Sequence, residues 1–189
     1  MSSKFFDHLE SESSTLGHDT DKIRSFLKLL EDEFDAMKFT NTEWNIIHDK
    51  LVKKLIPALR DYIKNKQKDN LIKDCLELFR KHVRFESSIH EEYWSDYLNF
   101  AVIAFNSGNA NNVRVGSLEL FQTLFEKKEQ PVALDEIQKQ MFQDFVKNGL
   151  FRILTSSSRS QPSLVQIVNS TLGHLCRFYL SIILEANHS

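Results

Sequence analysis

Residues 70–79 read NLIKDCLELF, and residues 112–121 read NVRVGSLELF. An Asn, five variable positions and the tetrapeptide Leu-Glu-Leu-Phe therefore return after 42 positions. In both copies most apolar residues are spaced three or four apart, which is typical of one face of an α-helix. A period of this size is close to the roughly 40–47 residues of repeat units built from two or three helices. This repeated pattern therefore predicts a chain made of stacked helical units.

The composition favours an all-α fold. The chain has 189 residues, of which 41% are hydrophobic and 26% charged, an ordinary balance for one globular domain. Five Gly and three Pro are few for an all-β fold, which needs many special turns. The formal net charge of −2 gives no broad attraction to phosphate backbones, which disfavours nucleic acid as a partner.

The two cysteines and the chain ends bear on location and domain organisation. Cys75 and Cys176 form no paired motif, and each falls in an apolar helical pattern, which is typical of a reducing compartment. Residues 1–18 are polar and Ser-rich, which predicts a disordered tail followed by a single helical domain over 19–189. The apolar stretch 164–184 is interrupted by polar side chains, which argues against a membrane span. We therefore expect a cytoplasmic protein, with the nucleus as the alternative compartment.

Apolar spacing predicts seven helices, and cap residues indicate where some of them begin or end. Thr42 and Asp135 are expected to cap helices, and Pro57 is expected to kink one. Gly149 is expected at a left-handed position just past a helix end. Alternate helices begin 43 to 51 positions apart, which agrees with the repeat. The predicted helices are 20–37, 42–63, 69–83, 88–105, 113–127, 134–148 and 164–186.

Residues 55–79, LIPALRDYIKNKQKDNLIKDCLELF, resemble the HEAT-repeat pattern of the armadillo-type superfamily. That pattern has Leu-x-Pro-x-Leu in a first helix, an Asp in the turn and an aliphatic–basic pair opening a second helix. The next unit keeps the pair as Val113-Arg114 but lacks the proline. The resemblance implies a right-handed α-α superhelix of about seven or eight helices, with an irregular helical bundle as the alternative. The matching residues are Leu55, Pro57, Leu59, Asp69, Ile72 and Lys73.

The same resemblance implies a binding surface. In the family, the second helices of successive pairs line a concave groove that holds a protein partner, and here these are the helices at 69–83 and 112–127. An Arg in such a groove can hold a partner carboxylate through two parallel hydrogen bonds. The residues predicted to bind a partner are Lys73, Arg80, Arg84, Arg114 and Gln122.

The last helix is apolar on more than one stripe. Because a terminal repeat normally turns a polar face to solvent, this pattern predicts self-association or a continuing array. The residues expected at that interface are Phe178, Ile182 and Ile183.

An enzymatic alternative depends on the dipeptide His48-Asp49. In helical metal-dependent phosphohydrolases, an HD pair supplies two metal ligands and is completed by an upstream His and a downstream Asp. His18 and Asp96 are the candidates for those two positions. No nucleophile elbow, phosphate-binding loop or HExxH motif occurs. The sequence therefore predicts a non-enzymatic protein–protein interaction module, a scaffold or adaptor without a cofactor. The HD-type phosphohydrolase and a dimerisation domain of a larger protein are the alternatives.

Overall fold

The computed structural model describes residues 3–17, 19–34, 39–64, 69–85, 91–107, 110–128, 132–156 and 161–188. In these segments the chain forms eight continuous helices and no strand, which confirms the all-α prediction. Five are regular throughout: α1 (Ser3–Ser14), α2 (Thr20–Phe34), α4 (Asp69–Phe85), α5 (Glu91–Ser107) and α6 (Asn111–Glu126).

The other three helices contain an irregularity. In α3 a π-helical turn, Leu51–Leu55, joins Asn41–Lys50 to Ile56–Lys64. In α7 the π-helical segment Phe145–Phe151 joins Glu136–Asp144 to Arg152–Ser156. Helix α8 (Pro162–His188) is kinked at Tyr179, whose backbone angles, φ −139° and ψ 47°, are not helical.

The chain divides into two compact units, Met1–Leu78 and Phe79–Ser189, where the sequence predicted one domain over 19–189. The boundary falls inside α4. We call these the N-terminal unit and the C-terminal unit and describe each separately.

Helix α1 overturns the prediction of a disordered tail over residues 1–18. Phe5 and Leu9 are buried in the N-terminal unit, and Leu16 just after the helix is buried as well. The Phe5 ring lies 5.9 Å from that of Phe39, which in turn packs 5.1 Å from Trp44. The prediction failed because the polar residues of α1 lie on the exposed face, while its few apolar residues are spaced to reach the core.

Helix α3 begins at a capping box that the sequence pattern misplaced. Thr40, rather than Thr42, is the N-cap: its hydroxyl accepts a hydrogen bond from the Glu43 amide, and its own amide donates to the Glu43 carboxylate. The expected kink at Pro57 takes the form of the preceding π-helical turn, in which the Ile56 amide donates to the Leu51 carbonyl. The wider turn accommodates a proline that lacks an amide proton.

In the C-terminal unit, α6 is surrounded by the other helices. The Phe121 ring stacks on Phe125 at 4.6 Å and lies 5.5 Å from Phe145 of α7. Trp94 of α5 donates its indole N–H to the Leu124 carbonyl at 3.1 Å. Aromatic side chains of α5, α6 and α7 therefore contribute much of the core of this unit.

Asp135 caps α7 as predicted, in a capping box with Gln138. The prediction for Gly149 is wrong, because α7 continues past it through the π-helical segment. A Cβ at Gly149 would lie 2.8 Å from Cε1 of Phe105 in α5. Close approach of α5 and α7, rather than a left-handed turn, therefore explains this glycine.

Candidate partner-binding surface

Two polar contacts join α4 to α6 within the C-terminal unit. Arg80 donates a hydrogen bond from Nη1 to Oε2 of Glu119, and the pair is also a salt bridge. The Lys127 ammonium donates to the backbone carbonyl of Arg84 at 2.7 Å. Because residue numbers increase together in both contacts, the two helices run parallel.

Helix α6 contacts α8 in the same manner. Gln122 donates from Nε2 to the Ile167 carbonyl and to the Thr171 hydroxyl, both at 3.1 Å. Further along, the Phe125 ring lies 5.4 Å from that of Phe178. Helices α6 and α8 therefore also run parallel, and α6 contacts both α4 and α8 through these side chains.

We call the polar surface along these helices the α4–α6–α8 face. Arg80 and Glu119 are partly exposed on it, at 24% and 38% of their side chains. The residues that define it are Arg80, Arg84, Glu119, Gln122 and Lys127.

The structure gives different surroundings to the residues predicted to bind a partner. Arg84 is exposed and Arg114 is partly exposed on α6. Arg80 and Gln122 instead make contacts between helices of this chain. Lys73 is exposed, on the part of α4 that belongs to the N-terminal unit.

The prediction that Ile182 and Ile183 form an outer interface is wrong. Both are buried within the chain, at 5% and 9% exposure, while Leu180 and Leu184 are exposed at 53% and 51%. Periodicity assumed a straight helix, whereas the kink at Tyr179 changes which residues face outward. The third predicted residue, Phe178, is partly buried against Phe125.

Tyr179 is held where α8 bends. Its hydroxyl donates to the Val132 carbonyl at 2.8 Å, and its ring stacks 6.0 Å from Phe142 of α7. Burial raises the pKa of Tyr179 to about 12, so the phenol stays protonated and keeps donating this hydrogen bond at neutral pH.

The structure contains a groove on α7 that was not predicted from the sequence. It has a volume of about 520 Å³, and its apolar part is formed by Ile137, which is 82% exposed, and by Met141 one turn later. The sequence contained one sign of this groove, because Ile137 does not belong to the apolar stripe of α7 that contains Phe142, Phe145 and Val146, which is buried. We call this feature the α7 groove, and the residues that line it are Asn106, Glu136, Ile137, Gln140, Met141 and Asp144.

The HD dipeptide does not present its two side chains together. His48 is fully buried, with its ring 5.9 Å from that of Trp44, whereas Asp49 pairs with Lys53 at 2.5 Å on the surface of α3. Asp96 lies on α5, and His18 falls outside the described residues. Within the described segments, no group of three or more His, Cys, Asp or Glu side chains is placed to hold a metal ion.

Two further titratable groups have shifted pKa values. Burial raises the pKa of Cys75 well above its ordinary value, and the nearby carboxylates of Asp74 and Glu31 act in the same direction. This thiol therefore stays protonated and unreactive. The hydrogen bond from the Thr40 amide lowers the pKa of Glu43, which keeps the capping carboxylate ionised.

Within the part of the chain that the structure describes, one helix meets the length and composition expected of a membrane span. The window is Pro162–Leu184 in α8, and 28% of it is buried. A core helix of a soluble protein can meet the same criteria, so this feature is weak evidence and does not assign a location. The cytoplasmic location stays a prediction.

A search of family models, curated proteins and solved structures finds no match to this chain. The resemblance to HEAT repeats therefore stays a prediction.

Proposed function

We propose that this chain is a non-enzymatic protein–protein interaction module, a scaffold or adaptor that binds a partner protein or peptide on the α4–α6–α8 face. The observation that carries the proposal is the parallel alignment of these three helices, which are joined by the contacts of Arg80 with Glu119 and of Gln122 with Thr171. A surface assembled from three separate helices can contact a partner over many residues. This is how stacked helical hairpins form extended binding surfaces.

Arg84 on this face and Arg114 near the start of α6 are the better candidates for direct partner contacts. Arg84 is exposed, and Arg114 is partly exposed on the neighbouring helix. A guanidinium group offers several donors in a fixed geometry, which suits it to a carboxylate on the partner. Arg80 and Gln122 hold the helices together in this proposal, and the protein is also proposed to self-associate through α8.

The test is affinity capture from native cells with the wild-type chain, Arg84→Glu and Arg114→Glu, followed by mass spectrometry. Arg24→Glu is the matched control, since Arg24 is exposed in the N-terminal unit and lies 3.6 Å from Asp21. We expect the Arg84 and Arg114 variants to lose a partner that the control retains, since reversing a contact charge adds like-charge repulsion. Equal capture by all four proteins would contradict the choice of this face.

A further inference from the structure

Exposed apolar side chains are concentrated at the last two helices. Among the described residues, four large hydrophobic side chains are exposed: Ile46, Ile137, Leu180 and Leu184. The last three belong to α7 and α8 of the C-terminal unit. Large apolar side chains that are exposed to this degree can mark an interaction site when they lie on one surface.

The α7 groove combines an apolar anchor position with negative charge. Its lining includes the carboxylates of Glu136 and Asp144 but no Lys or Arg. Lys139 pairs with Glu136 at 2.6 Å, and Gln140 donates to Asp144 at 3.4 Å. Met141 contributes a flexible side chain that can adapt to an inserted apolar group. The groove therefore suits an apolar segment that carries a positive charge.

The outer surface of α8 has the complementary chemistry. Leu180 and Leu184 are one turn apart, and both are more than half exposed. Arg177, three residues before Leu180, is exposed, and its guanidinium carbon lies 5.1 Å from the Phe178 ring centroid. It is the only Asp, Glu, Lys or Arg between Pro162 and Leu184. We call Arg177, Leu180 and Leu184 the α8 strip.

We propose that the α8 strip of one copy docks into the α7 groove of a second copy. Leu180 and Leu184 would cover Ile137 and Met141, while Arg177 would approach the carboxylates of Glu136 and Asp144. The inference rests on the self-association included in the proposed function and names its two surfaces. The two copies would therefore contact each other through different surfaces, and not through the same surface on both copies.

Charge favours this arrangement over contact between two α8 strips. A symmetric strip-to-strip contact would bring two Arg177 side chains to one interface, and the three residues of the strip include no carboxylate. The α7 groove offers the carboxylate of Asp144, together with that of Glu136, which already pairs with Lys139. Complementary charge across an interface also fixes which surfaces meet.

The test is sedimentation analysis of the full chain over a wide concentration range. We expect the wild type to self-associate, and Ile137→Asp and Leu180→Asp each to weaken association by about tenfold or more, as loss of an apolar anchor does. Ile46→Asp is the matched control, since it places the same acidic group at an exposed isoleucine in the N-terminal unit. It should associate like the wild type. Circular dichroism would confirm that every variant is folded.

Mixing the two weakened variants distinguishes groove-to-strip docking from other contacts. Ile137→Asp keeps an intact α8 strip, and Leu180→Asp keeps an intact α7 groove, so their equimolar mixture should form a one-to-one complex. A monomeric wild type, full association of Ile137→Asp, or a mixture that stays monomeric would overturn the proposal. Binding of a monomeric wild type to anionic phosphatidylglycerol vesicles would also overturn it and assign the α8 strip to a membrane surface.

The affinity-capture experiment tests the α4–α6–α8 face independently of the docking inference. Its variants at Arg84 and Arg114 leave the α7 groove and the α8 strip unchanged. If the wild type is monomeric but the Arg84 and Arg114 variants still lose a captured partner, only the docking inference and the self-association are removed. Equal capture by all proteins, with self-association intact, would remove only the α4–α6–α8 face.

Discussion

Gly149 and Gly173 of the C-terminal unit have opposite environments, a difference that the sequence does not reveal. Gly149 faces the ring of Phe105, which is itself buried against Phe145 at 5.1 Å. Gly173 has nothing within 4 Å of the position where its Cβ would lie. Because both occur inside continuous helices, a side chain should affect stability through contact at one site and through helix propensity at the other.

We predict that Gly149→Ala lowers the free energy of unfolding by roughly 1–3 kcal/mol, since the added methyl group meets a ring that is held in place on other sides. Gly173→Ala is the control and should raise stability by roughly 0.5–1 kcal/mol, because alanine is the better helix former and nothing obstructs it. Chemical denaturation measures both. A stabilising Gly149→Ala would show that α5 and α7 are not in close contact.

Helix α1 shows how composition can conceal an element. Residues 1–18 have the Ser-rich polarity of a disordered segment, yet Phe5, Leu9 and Ser13 are buried at spacings of four residues. Glu10 of α1 also pairs with Lys50 of α3. A short helix needs only one apolar residue per turn when its other faces meet solvent, so average composition does not detect it.

We predict that Leu9→Ala lowers the free energy of unfolding of the N-terminal unit by about 2–5 kcal/mol, the usual range for truncating a buried leucine. Lys4→Ala in the same helix is exposed and should change stability by less than about 0.5 kcal/mol. Thermal or chemical unfolding measures the difference. Equal stability of the two variants would restore the interpretation of this segment as a tail.

Regular helices could be predicted well from the sequence, and irregular ones poorly. The apolar period located the bodies of α2, α4 and α6, and the candidate cap Asp135 marked the start of α7. The π-helical segments and the kink at Tyr179 depend on packing between distant residues, such as the Tyr179 hydroxyl with Val132. Periodicity contains no information about such contacts, so the exposed face of α8 and the α7 groove were not predicted.

At the scale of the whole chain, the repeated Leu-Glu-Leu-Phe has the same pattern of burial in both copies. Leu76, Leu78 and Phe79 are buried in α4, and the matching residues of α6 are buried as well. The Glu of each copy, Glu77 in α4 and Glu119 in α6, is more exposed than these apolar residues. Glu119 accepts a hydrogen bond from Arg80, which lies three positions after Glu77. Each copy thus provides core residues on one side and a polar position on the other. The right-handed superhelix stays a prediction that this pattern supports.

The proposed binding face requires that Arg80 of α4 and Glu119 of α6 interact and so join these two helices. A double-mutant cycle on Arg80→Glu and Glu119→Arg tests it most directly, with chemical denaturation as the measurement. Each single reversal places like charges together and should lower stability by roughly 0.5–2 kcal/mol, while the double variant restores an opposite pair. We predict a coupling energy of at least about 0.5 kcal/mol between the two positions. Additive effects, with the double variant as unstable as the two single changes together, would contradict the account.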